Sequence, residues 1–149
     1  MAPEWIFDVG LGELFVIRVA GNIFSPEIAG SLQYAGTYLR TPLFVVLGHE
    51  GCGAVGAALA IKLQGEQFRS RVQDLVASIV SGLPDLDSQL APQEQLSRAV
   101  EGNVRWTLGQ ILDSPEGQAR LSEGCMKIVG AVYEIERCRV RFLPSDEPT

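Results

Sequence analysis

His49 and Cys52 are the residues of this sequence best suited to coordination chemistry. They stand three positions apart in the segment Leu43-Phe44-Val45-Val46-Leu47-Gly48-His49-Glu50-Gly51-Cys52-Gly53-Ala54-Val55. An apolar run of strand length ends at a glycine, delivers the only histidine of the chain, and then a cysteine among glycines. Imidazole and thiolate are ligands that zinc favours. A buried strand end aims such groups rigidly, and glycines let the backbone turn tightly and approach a ligand closely. By itself His-x-x-Cys is a common chance spacing. It also describes a buried histidine and an inert small thiol at a tight turn.

The elements that must position this pair can be read from periodicity. Pro3 can open a short helix through Val9, which Gly10 and Gly12 end, with Asp8 bracketing that turn. Leu14–Ala20, apolar and β-branched with Arg18 inside it, predicts a buried strand. Ser25-Pro26-Glu27 is a helix start, and Ile28, Leu32, Ala35 and Leu39 then share one face until Thr41-Pro42 breaks it. Leu43–Leu47 predicts the next strand, giving a strand–helix–strand unit. Cys52–Lys62 reads as a helix whose positive end favours an anionic sulfur on Cys52.

Phe68–Val80 repeats a helical period, and Ser81–Gln89 carries loop signals. A long helix is expected from Pro92 to Leu112, with Leu96, Val100, Val104, Leu108 and Ile111 inward. Ser114-Pro115-Glu116 begins a short helix that Gly124 ends. Met126–Ile135 is a further strand, turning near Arg137-Cys138 into Val140–Leu143 as an antiparallel hairpin. Pro144–Thr149 reads as a polar tail.

Five blocks then agree in order and spacing with one family. They are Pro3-Glu4-Trp5-Ile6-Phe7-Asp8, the run Gly12–Asn22 with Ser31–Ala35, the segment Val45–Val55, Gly102-Asn103-Val104-Arg105, and Ile128–Ile135. The sequence resembles the β-class carbonic anhydrases across essentially its whole length. The resemblance implies an α/β fold, a mostly parallel central sheet flanked by helices, and zinc-dependent interconversion of carbon dioxide and bicarbonate. It matches His49 and Cys52 to two of the family's zinc ligands, and Phe15, Tyr34 and Gly53 to positions lining its substrate cleft. Arg18 matches an arginine with which some members hold a regulatory bicarbonate. Core packing accounts equally for Phe15 and Tyr34, and an ion pair with a carboxylate for a buried arginine.

One departure qualifies the expected activity. The family carries a Cys-x-Asp-x-Arg motif a few residues before the segment matching Ala2-Pro3-Glu4, and this sequence starts at Met1, beyond it. The resemblance therefore implies that the first strand, one cysteine ligand and the aspartate–arginine dyad are missing. A weak or inactive carbonic anhydrase homologue with a partial zinc site is the expectation. The alternative is a non-catalytic homologue serving assembly, anion binding or regulation. Glu50, water or a second subunit could complete the metal's coordination. Cys125, at the wrong end of its strand, and Cys138, in the hairpin turn, read as structural or surface thiols.

Bulk properties narrow the field further. The 149 residues suit a single domain spanning 1–149, and 46% hydrophobic with 20% charged residues suits a folded chain. A net charge of −6 leaves no basic stripe for nucleic acid. No apolar run reaches the ~20 residues a membrane span needs. Glu4 and Asp8 sit where a signal peptide would be basic, and three widely spaced cysteines make no disulfide framework. A cytoplasmic homodimer or larger homo-oligomer is expected.

Overall fold

The computed structural model describes residues 2–124 and 126–144. Six helices and three strands follow in the order α1 (Pro3–Phe7), α2 (Pro26–Tyr38), β1 (Leu43–His49), α3 (Gly53–Gln64), α4 (Arg71–Val80), α5 (Pro92–Asp113), α6 (Pro115–Ser122), β2 (Lys127–Glu134) and β3 (Arg139–Phe142). The sheet has the order β1-β2-β3. β1 pairs with β2 in parallel, Leu43 opposite Lys127 and His49 opposite Tyr133. β2 pairs with β3 antiparallel, Glu134 opposite Arg139. The sheet is thus small and mixed, within the expected α/β architecture.

Helix α5 lies across β1 and β2, and α3 packs on α4 and α5. The core forms where they meet, from Val46, Val55, Ala58, Val76, Ile79, Ala99, Val100, Val104 and Val132, all buried. Close approach of α5 depends on two glycines. A Cβ on Gly48 would lie 2.7 Å from Val104 Cγ2, and one on Gly130 would lie 2.9 Å from Val104 Cγ1. Val104, itself fully buried, occupies the hollow these two bare positions leave on adjacent strands.

The segment Leu14–Ala20 departs from expectation. It contains no strand; a 3-10 turn begins at Ala20 and runs to Asn22. Phe15, Val16 and Val19 are exposed, and only Leu14 and Ile17 are partly covered. Extended, β-branched sequence forms a strand only where a neighbour offers backbone partners. Here none of the described strands does. Helix α1 also ends earlier than Val9: Asp8 adopts a left-handed conformation (φ 51°) and its N–H bonds back to the Glu4 carbonyl. Ser25 sits at the start of α2 but caps no backbone amide; its hydroxyl donates to Glu27 Oε2 at 2.8 Å.

Other expectations hold closely. Ser114 Oγ accepts from the Gly117 N–H at 3.1 Å and so caps α6. The β2–β3 hairpin turns through Cys138, exposed and left-handed at φ 49°. Cys125 and the tail beyond Pro144 lie outside the described residues.

Candidate metal site and its surroundings

The β1 ladder carries His49 to the carboxyl end of the sheet. One residue on, the Glu50 N–H donates to the Tyr133 carbonyl at 3.0 Å, extending the parallel pairing. His49 Nδ1 lies 2.8 Å from the Glu50 carbonyl oxygen. A carbonyl only accepts, so this contact places the proton on Nδ1 and leaves Nε2 with the lone pair a metal requires. The chain then turns at Gly51, whose φ of 65° is readily reached by glycine.

Cys52 follows at the N-cap position of α3 and is 5% exposed. Its backbone carbonyl accepts from Gly56 N at 2.9 Å. The sulfur is a free thiol against the core. Gly53 opens α3 with clear space where a side chain would project. Strand end, turn and helix start therefore hold His49 and Cys52 on rigid backbone on either side of a two-residue turn.

Among the described residues, no group of three histidine, cysteine or carboxylate side chains is placed to hold a metal ion. Glu50, the nearest acidic side chain in sequence, directs Oε2 to the Glu136 N–H at 3.3 Å, toward the hairpin. Two donors fall short of the three protein ligands plus water of a catalytic zinc site, and of the four in a structural one. The described residues alone do not fit a complete zinc site.

The remaining sequence-predicted residues fall elsewhere. Phe15 and Tyr34 pack ring to ring, centroids 6.3 Å apart, and Tyr34 continues to Tyr38 at 5.1 Å. This aromatic row is half exposed, with Phe15 at 46% and Tyr34 at 51%. Arg18 is exposed on the extended segment and forms no ion pair with a described residue. The expectation of a buried arginine neutralised by a carboxylate is therefore corrected: without a strand around it, Arg18 stays in water.

Two polar groups that periodicity alone passes over support the site from behind. Asn103, 1% exposed on α5, donates from Nδ2 to the Gly21 carbonyl at 2.8 Å. One turn on, Thr107 Oγ1 donates to the Asn22 carbonyl at 3.0 Å. Together they fasten the 3-10 turn to the helix that carries the sheet. The signal was present as two polar residues at i and i+4 within an otherwise apolar helix face. At the carboxyl end of β2, Glu134 is 7% exposed and accepts from Arg139 Nε and, at 2.8 Å, Arg141 Nε. Arg141 Nη2 continues to Glu101 Oε1 at 2.6 Å, tying β3 to α5.

Comparison with known proteins agrees with this architecture. The profile of the carbonic anhydrase family matches residues 1–140. Carbonic anhydrase 2 of Mycobacterium tuberculosis (strain CDC 1551 / Oshkosh) is 39% identical over 140 residues, which is 91% of this chain and 65% of that protein. A carbonic anhydrase of Mycolicibacterium smegmatis is 37% identical over 146 residues, 95% of this chain and 68% of that protein. The chain thus spans about two thirds of the length of these curated relatives. Among solved structures, the β-carbonic anhydrase CcaA superposes with a TM-score of 0.79 at 25% identity, covering 97% of this chain and 78% of that one. A tetrameric β-carbonic anhydrase of Sordaria macrospora shares the fold at a TM-score of 0.86 and 20% identity, covering 97% and 75%. The chain belongs to the β-carbonic anhydrase family.

Proposed function

We propose that this chain is a carbonic anhydrase homologue carrying part of a zinc site, His49 and Cys52, and that it hydrates carbon dioxide weakly or not at all as it stands. The observation supporting this reading is the donor set. A buried thiol and an imidazole with Nε2 free flank one tight turn, and no third donor accompanies them among the described residues. A zinc ion in such enzymes lowers the pKa of bound water toward neutrality, which demands firm retention of the metal. Two donors retain it poorly. His49 is also the only histidine, so no second imidazole is available to carry protons.

In this reading Phe15, Tyr34 and Gly53 are remnants of the substrate cleft, and Arg18 is a bicarbonate contact on the exposed segment. The chain acts in the cytoplasm as a homodimer or larger assembly. The alternative, a non-catalytic homologue for assembly, anion binding or regulation, draws on the same incomplete donor set. Zinc stoichiometry and carbon dioxide hydration, measured on the chain as given, distinguish the two. Measurable hydration that disappears in Cys52→Ala supports residual catalysis. Absence of both zinc and hydration supports the non-catalytic homologue. Full zinc loading with hydration comparable to an intact relative overturns the proposal of a weakened site.

A further inference from the structure

A cleft opens between the end of α2 and helix α6, lined by Gly36, Thr37, Arg40, Thr41, Arg120 and Met126. It lies before β1, whereas His49 ends that strand. Six steps of about 3.3 Å separate the first and last residues of β1, so the cleft and the His49–Cys52 turn stand roughly 20 Å apart along the sheet. Two guanidinium groups and two hydroxyls border the cleft, on a chain whose net charge is −6.

The two arginines are held differently. Arg120 is fixed: Nη2 donates to Thr37 Oγ1 at 2.6 Å, and Nη1 donates to the Gly36 carbonyl at 3.4 Å and to Glu123 Oε2 at 3.0 Å. Its guanidinium thus joins α6 to the last turn of α2. Arg40 forms no ion pair with a described residue, and its backbone is left-handed at φ 54°. The positions just after a helix ordinarily give that conformation to glycine or asparagine, since a Cβ there is strained. The Thr41 N–H closes the turn on the Ala35 carbonyl at 3.2 Å, holding Arg40 in place. A long cation at a strained position, beside a second cation already positioned by its neighbours, is a costly arrangement for the fold alone.

We propose that this cleft is a binding site for a small oxyanion of the phosphate type, with Arg40, which pairs with no described carboxylate, as its recruiting cation and Arg120 as its fixed one. Planar guanidinium groups match the paired oxygens of such an anion, and Thr37 and Thr41 supply neutral donors alongside. Glu123 already pairs with Arg120, so the surplus positive charge that attracts the anion belongs to Arg40.

Inorganic phosphate is the probe. Thermal unfolding of the full chain is followed across a phosphate titration, with sodium chloride at matched ionic strength as control, for the wild type, Arg40→Gly and Arg40→Gln. The expected result is a saturable rise in Tm for the wild type, beyond that given by chloride. Arg40→Gly should unfold at a higher temperature without phosphate, because strain is relieved, while losing the phosphate-specific rise. Arg40→Gln should weaken the apparent affinity at least tenfold. A wild type that responds to phosphate only as it does to chloride overturns the site. So does an equal phosphate-specific rise in Arg40→Gly.

Discussion

At the scale of single residues, charge and hydrogen bonding make separable predictions. The Arg139 hydrogen bond, reinforced by Arg141 and opposed by desolvation, holds the Glu134 carboxyl below its ordinary pKa of 4.5. A carboxyl whose folded pKa is lowered binds fewer protons folded than unfolded as pH falls through its ordinary value. It therefore contributes stability that is present above that value and is lost as pH drops through the lowered one. Glu134→Gln should lower Tm at neutral pH and flatten its fall on acidification; a parallel acid profile in both proteins would refute the role assigned to Glu134. Cys52 makes the second prediction. With His49 as the one other donor, Cys52→Ala should reduce zinc affinity at least tenfold in competition with a chelating dye. Equal retention by wild type and variant would show that the metal, where bound, sits elsewhere. The sequence made His49 and Cys52 legible because their types are rare and their spacing is short. It hid Glu134, since an acidic residue at a strand end has no periodicity to mark it, and its three arginine partners, Arg137, Arg139 and Arg141, become neighbours only through the hairpin.

At the scale of elements, helices and strands that carry their own boundaries were legible, and the one that depends on a neighbour was not. Helix α5 runs Pro92–Asp113 against the expected Pro92–Leu112, because proline sets its start and its apolar stripe repeats for six turns. Strands β1 and β2 find each other in register and match expectation within two residues. Leu14–Ala20 has the same β-branched composition yet forms no ladder, because strand propensity is realised only through a partner's backbone. The packing of α5 on β1 and β2 gives a prediction at this scale. Gly48→Ala would drive a methyl group to within 2.7 Å of Val104 Cγ2. Overpacking of this kind costs about 1–3 kcal/mol, read as a lower midpoint in urea with an unchanged slope. Pairing it with Val104→Ala should recover part of the loss, since the two changes share one contact. Strictly additive losses would show that Val104 is not what excludes a side chain at Gly48.

For the whole molecule, the free side of β1 bears on assembly. The Pro42 carbonyl accepts from Lys127 N at 2.9 Å and Glu50 N donates to the Tyr133 carbonyl at 3.0 Å. The parity of a parallel ladder then turns the even-numbered residues of β1 toward β2. Val45 and Leu47 aim their backbone groups the opposite way, where no described residue hydrogen-bonds them. An open strand edge templates pairing with another chain unless charge, proline or a cover blunts it. The N-terminal arm buries no residue of α1, and Trp5 and Leu11 are 90% and 94% exposed. With Phe15, Val16, Tyr34 and Tyr38 they leave more apolar surface uncovered than a lone molecule ordinarily tolerates. Sedimentation velocity at micromolar concentration should therefore show a dimer or larger species. The double substitution Trp5→Glu with Leu11→Glu should shift it toward monomer by at least tenfold in dissociation constant, with Tm at low concentration unchanged because neither side chain touches the core. A wild type that sediments solely as monomer would defeat the proposed assembly. A double variant that associates as strongly as the wild type would move the interface away from the arm, leaving the β1 edge to account for it.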